Sequence, residues 1–191
     1  MNMLKIPESD KAANAIKDIV AAIRAQYRLP WRGLHGVDHW GRVLDNGLRL
    51  ARSTGADPEI VQLFAIFHDA CRWNESIDSG HGGRGAELAA AWLGELYELS
   101  DDRFELLYEA CLHHTDGKME GDPTVLTCWD ADRLDLSRAA ITPKPDRMGT
   151  EAARDPELIQ WAIDRSSRRH TPRFVEKAWI FPDDEDISSK G

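Results

Sequence analysis

The sequence predicts an all-α fold, a compact bundle of about six to eight helices. Three observations carry this: helix-start signals recur along the chain, apolar residues recur at spacings of three and four, and no segment alternates strictly enough to make a strand. Ser9, with acidic residues beside the first turn, opens a helix over Lys11 to Tyr27. From about His35 to Thr54, Trp40, Val43, Leu44, Leu48 and Ala51 form one stripe, and Gly55 is its stop signal. Asp57-Pro58-Glu59 starts the next helix, an Asp able to cap free amides followed by a Pro where no N–H is needed. Its body, Ile60 to Cys71, is apolar nearly all round and belongs at the centre of the bundle. A Gly-rich stretch precedes a helix over Gly85 to Tyr97, and Ser100 opens another over Asp101 to His114. Asp122-Pro123 and Asp155-Pro156-Glu157 repeat the Asp-Pro start. Between them, Ser137 to Thr150, with Pro143 and Pro145, reads as a long loop bordering a site. Residues 1–181 read as a single domain and 182–191 as a loose acidic tail.

At 191 residues the chain suits one domain with a sizeable core, and 42 % hydrophobic with 30 % charged residues excludes collagen-like and mainly disordered classes. The formal charge of −9 repels polyanions, which argues against duplex nucleic acid and anionic membranes as partners while leaving a small phosphorylated metabolite open. Cys71, Cys111 and Cys128 are odd in number, lack a CxxC pair and sit in apolar runs, as reduced core thiols do. Met1 to Asp10 has no apolar export segment, and the longest apolar run, Leu63 to Phe67, is far short of a membrane span. The expectation is a cytoplasmic protein; its oligomeric state is left open.

The chemistry centres on His68-Asp69, near the end of the most apolar helix. A buried carboxylate needs a cation, an Arg partner or a water-filled cleft. His39 lies one turn from Val43 on the buried side of its helix, and Asp130 lies four residues from both Leu126 and Leu134 on an apolar stripe. His39, His68, Asp69 and Asp130 make a nitrogen and oxygen donor set without thiolate. Such a set suits Mn, Fe, Co, Ni, Zn or Mg with coordination positions left for water. Asp132 and Asp135 read as helix-end hydrogen-bonding residues. Arg42, Arg72 and Arg133 each lie beside one of the proposed ligands, placed to meet an anionic substrate or to hold a carboxylate.

The order His39, His68-Asp69, Asp130 resembles the HD superfamily of metal-dependent phosphohydrolases over roughly Leu34 to Leu136. His39-Trp40-Gly41-Arg42-Val43 is similar to the HxxRV signature, Phe67-His68-Asp69 to the HD doublet, and Asp130-Ala131-Asp132-Arg133-Leu134-Asp135 to the DADRLD segment. The resemblance implies a helical bundle whose metal activates water for attack on a phosphate ester, with Asp69 orienting or deprotonating that water. It implies a further role for His81, His113 and His114, ordered like the extra histidines of binuclear members. They are expected to contact substrate, to protonate the leaving oxygen, or to hold a second ion. The same order also resembles the diiron oxygenases of the superfamily, and a non-catalytic ligand-binding module is the third alternative. The nucleotidase pattern has an acid three positions past the doublet, where this chain has Arg72, its nearest acid being Glu75.

Overall fold

The computed structural model describes residues 10–181, and among these the regular secondary structure is all helical apart from an isolated bridge between Leu93 and Tyr97. In chain order the helices are α1 (Asp10–Gln26), α2 (Val37–Thr54), α3 (Pro58–Phe67), α4 (His81–Trp92), α5 (Asp101–His113), α6 (Pro123–Arg133), α7 (Pro156–Ser167) and α8 (Arg173–Ala178). Three short 3-10 turns, Leu136–Ala139, Pro145–Arg147 and Ala152–Arg154, fill the connection between α6 and α7. The Ser9 start and the acidic tail at 182–191 lie outside the described residues. No helix among the described residues is long and apolar enough to cross a membrane.

The three Asp-Pro signals act as local chemistry requires. Asp57 accepts from the amides of Glu59 and Ile60, Asp122 from Thr124, and Asp155 from Glu157. Gly55 closes α2 in the left-handed region, its amide bonded to the Ala51 carbonyl. Ser100 stands at the start of α5, but its hydroxyl donates to Asp102 instead of accepting from the helix.

Helix α3 is the hub, packed by α2, α4, α5 and α6, and Ile60, Val61, Leu63, Phe64, Ala65, Ile66 and Phe67 are all buried. This position explains its all-round hydrophobicity, because every face meets another helix. It ends at Phe67, four residues before the expected Cys71, and His68 caps it. Helix α4 runs His81–Trp92 instead of Gly85 to Tyr97. Gly80, at φ 83°, turns the chain into it, and the left-handed Gly94 beyond Leu93 ends it. The early start is a packing effect: Gly82 lies against the Cys111 carbonyl of α5 and Gly85 against the Phe67 carbonyl of α3. A Cβ at Gly85 would stand 2.3 Å from that carbonyl oxygen. Gly85→Ala is therefore expected to destabilise the protein by about 1–3 kcal/mol and lower Tm by several degrees. Thermal denaturation checks this, and an unchanged Tm would contradict the close α3–α4 approach.

The amino-terminal half of the core is tied by edge-to-face contacts among Tyr27, Trp31 and Trp40, with ring centroids 5.2–5.6 Å apart. Trp31 also donates to the Trp179 carbonyl, joining the loop before α2 to the segment after α8. The three cysteines are unpaired, with Cys111 and Cys128 buried. A second apolar cluster, including Leu50, Leu134, Met148 and Leu158, seats α7 and the 3-10 turns against α2 and α6.

Candidate metal centre

Five helix ends deliver the site. His39 comes from the first turn of α2, His68 and Asp69 follow the last turn of α3, His81 is the first residue of α4, and His114 caps α5. Asp132 comes from the last turn of α6. All of these side chains are buried or nearly so.

Each imidazole is oriented by a group that can only accept. His39 Nδ1 donates to Asp135 Oδ2 at 2.7 Å, His68 Nδ1 to the Phe64 and Ala65 carbonyls, His81 Nδ1 to the Asp78 carbonyl at 2.6 Å, and His114 Nδ1 to the Cys111 carbonyl at 2.8 Å. With a proton held on Nδ1, a ring in its neutral form presents an Nε2 lone pair. These lone pairs meet in twos: His39 and His68 Nε2 are 3.1 Å apart, and His81 and His114 Nε2 are 2.9 Å apart. Two facing lone pairs repel unless a cation lies between them. Asp69 spans the pairs, with Oδ2 at 3.6 and 3.7 Å from His39 and His68, and Oδ1 at 3.1 and 3.8 Å from His81 and His114.

Asp132 completes the first group, its Oδ1 lying 3.4 Å from His39 Nε2 and 4.0 Å from His68 Nε2. That oxygen is buried without a hydrogen-bond partner, a costly state for a carboxylate. Ligands to one ion at about 2.1 Å stand roughly 3.0–3.4 Å from one another, so the spacing, the lone pairs and the orphaned oxygen all fit divalent metal binding. His39, His68 and Asp69 form one potential metal-holding group, and Asp69, His81 and His114 a second.

The electrostatics agree. Burial lowers the His68 imidazole to about 3, against the opposing pull of Asp69 and Asp132. Burial likewise lowers His114. Burial raises Asp69, but His68, His39 and His81 outweigh it and hold the carboxylate well below its ordinary range. For Asp132, Arg138 and the histidines similarly outweigh burial. Neutral imidazoles beside ionised carboxylates are the ligand forms of these groups. A stability consequence follows for the metal-free protein. The unfolded His68 and His114 bind protons near pH 6.5, whereas the folded rings resist protonation to lower pH, His68 to about 3. Between those limits the unfolded state holds more protons, so stability falls as pH falls below about 6.5, by up to about 1.4 kcal/mol per pH unit for each ring. Urea denaturation in chelator is expected to show this loss between about pH 7 and 5, and a flat profile would contradict it.

Several expected site residues lie elsewhere. Asp130 is fully buried, but its oxygens accept from the Gly149 amide and from the Thr150 amide and hydroxyl, and Arg133 donates to it at 3.2 Å. It anchors the 3-10 connection and belongs to neither histidine group. Its apolar stripe misled because α6 is sandwiched: Thr124, Val125, Thr127 through Ala131 and Arg133 are all buried, so more than one face is interior. Asp132 and Asp135, read as helix-end hydrogen-bonding residues, both reach His39, Asp132 at Nε2 and Asp135 at Nδ1. Arg42 is turned onto Asp135, which Nε and Nη2 grip, and Nη1 donates to the His170 carbonyl. Asp135 in turn is held below the ordinary carboxylate range, the hydrogen bond and charge of His39 and the charge of Arg42 outweighing burial. Arg133 is spent on Asp130 and the Lys118 carbonyl. His113 points outward and pairs with Asp116, leaving His114 alone of that doublet in the site. Arg72 does reach the site: the Asn74 and Ser76 carbonyls steady it, and Nη1 lies 3.3 Å from Asp69 Oδ1 and 3.1 Å from His81 Nε2. Glu75 binds His35 and the amides of Leu34 and His35, fastening the loop before α2.

A helical bundle that converges four imidazoles and two carboxylates from its helix ends is a domain whose donor set is compatible with divalent metal. The family model for the HD domain matches residues 36–138, more than half of the chain, and the protein belongs to the HD domain family. No curated protein and no solved structure matches the chain.

Proposed function

We propose that the protein is a metal-dependent phosphohydrolase with a binuclear centre, acting on a small phosphorylated metabolite or nucleotide. The observation that carries this is Asp69, one oxygen of which faces the His39–His68 pair and the other the His81–His114 pair. His39, His68, Asp69 and Asp132 would hold one divalent ion, and Asp69, His81 and His114 the other. Bound divalent ions supply a water acidified to near-neutral pKa and offset negative charge on phosphoryl oxygens.

The remaining work falls to the protein's own groups. The acceptor behind each Nδ1 keeps the four rings from turning, with Arg42 and Asp135 behind His39 the most elaborate of these supports. Arg72, braced on two carbonyls, presents Nη1 toward the space shared by Asp69 and His81, where it would meet a phosphoryl oxygen. The buried surroundings of His39, His68 and Asp69 keep bulk water from weakening these interactions. The substrate is taken to be small and anionic, consistent with the chain's net charge, which disfavours long polyanions.

The test combines elemental analysis with phosphate release from a panel of nucleotides and other phosphomonoesters and diesters. About two divalent ions per chain, and hydrolysis abolished by chelator and restored by metal, are expected. Full activity in metal-free protein would overturn the reading. Two irons with oxygen consumption and no phosphate release would replace it with the diiron oxygenase reading, which uses the same four imidazoles and two carboxylates. Failure to bind any metal would favour a ligand-binding module.

A further inference from the structure

The two metal-holding groups differ in charge. Asp69 belongs to both, but the first is completed by Asp132, whereas the second contains no carboxylate besides Asp69. The arginines near the first group, Arg42 and Arg138, are both paired with Asp135, which backs His39 and is not itself a proposed ligand. Arg138 also lies 3.7 Å from Asp132 Oδ1. The second group faces a guanidinium without such a counter-charge: Arg72 pairs with Asp69, the carboxylate an ion would need.

Arg72 is held where it stands. Its Nε donates to the Asn74 carbonyl and its Nη2 to the Ser76 carbonyl, so the loop after α3 closes around the guanidinium, and the side chain is 7 % exposed. Nη1 lies 3.3 Å from Asp69 Oδ1, the oxygen turned toward His81 and His114. It also lies 3.1 Å from His81 Nε2 and 3.4 Å from His81 Nδ1. A donor in line with the Nε2 lone pair would stand much farther from Nδ1, so Nη1 lies over the imidazole ring and leaves its Nε2 edge to His114. The second position is thus open to an ion but opposed by charge. An ion about 2.1 Å from His81 Nε2 stands within roughly 5 Å of Nη1 in any direction. A buried, fixed positive charge at that range is little screened by solvent, and it competes with the ion for Asp69 Oδ1.

We propose that Arg72 makes the two positions unequal, so that the centre loads in order. The His39, His68, Asp69 and Asp132 position fills first, and the Asp69, His81 and His114 position fills more weakly, against the guanidinium. Arg72 thereby sets the free metal concentration at which the centre becomes binuclear. Loading in this order rests on the two-ion reading of the site and not on the reaction it catalyses.

Calorimetric titration of the metal-stripped protein with Mn²⁺ tests the order. Two steps of one ion each are expected, with dissociation constants separated by about ten-fold or more. His114→Ala is expected to abolish the second step and keep the first, which assigns the steps to their positions. Arg72→Gln removes the charge and is expected to tighten the second step by about ten-fold or more while leaving the first within about three-fold. Arg72→Lys keeps the charge but loses the brace on two carbonyls, and its second step is expected to stay closer to wild type than to Arg72→Gln. A second ion detected only in Arg72→Gln is the strongest form of the expected result. Two steps of equal affinity in the wild type, loss of the first step in His114→Ala, or a second step that Arg72→Gln leaves unchanged or weakens would each overturn the proposal. Equal tightening in Arg72→Lys and Arg72→Gln would overturn it too, by assigning the effect to the brace. One ion per chain in both wild type and Arg72→Gln at saturating Mn²⁺ would overturn the two-ion reading itself. Ordered, Arg72-dependent loading without phosphate release across the ester panel would overturn the phosphohydrolase reading alone.

Discussion

Asp69→Asn is expected to remove both ions and to lower phosphate release by at least about a thousand-fold, equivalent to roughly 4 kcal/mol of transition-state stabilisation. The size of the effect follows from position. Asp69 is the one side chain in both histidine groups, and its two oxygens face different imidazole pairs. An amide keeps the shape but loses the negative charge, and its NH2 group would either repel a cation or donate to the ring lone pairs that would otherwise bind one. Elemental analysis of the purified variant, alongside phosphate release, provides the check. Retention of two ions per chain would show that the histidines alone hold them and that Asp69 does not bridge.

Asp132→Ala and Asp130→Ala are expected to fail in opposite ways. The Asp132 Oδ1 is buried without a hydrogen-bond partner, its charge met by Arg138 at 3.7 Å, so its removal strands no donor hydrogen-bonded to that oxygen and should cost the metal-free protein less than loss of Asp130, while lowering metal content and activity by at least about a hundred-fold. Asp130 is fully buried and accepts from Gly149, Thr150 and Arg133. Its removal strands those donors, at an expected cost of about 3–5 kcal/mol, while the folded fraction keeps its metal. Denaturation curves in chelator and metal analysis on both variants separate the two roles. Loss of metal in Asp130→Ala without loss of stability would reverse the assignment.

The two aspartates also mark where sequence reasoning stopped. Both stand in one DADRLD segment, two residues apart, and the helix that carries them is buried on more than one face. Periodicity identifies an inward face only when the opposite face meets solvent. In α6 it does not, so the stripe through Leu126, Asp130 and Leu134 led to the 3-10 connection and not to the histidines. One clue was available: Asp132 and Asp135 lie in the same motif as the chosen ligand, and the resemblance applied to the segment as a whole.

What the sequence by itself determined was local. The Asp-Pro caps at Asp57, Asp122 and Asp155 place three helix starts because their hydrogen bonds run to amides two or three residues away. The all-helical class, the central place of α3 and the candidacy of His39, His68, Asp69, His81 and His114 followed from spacing, hydrophobicity and the resemblance to the HD family. Tertiary structure alone decided the rest. It separated His114 from His113 and Asp132 from Asp130, turned Arg42 inward onto Asp135, and set Arg72 beside Asp69 and His81. These outcomes depend on which face of each helix meets which neighbour, and on contacts between residues tens of positions apart. Local propensity carries no information about either.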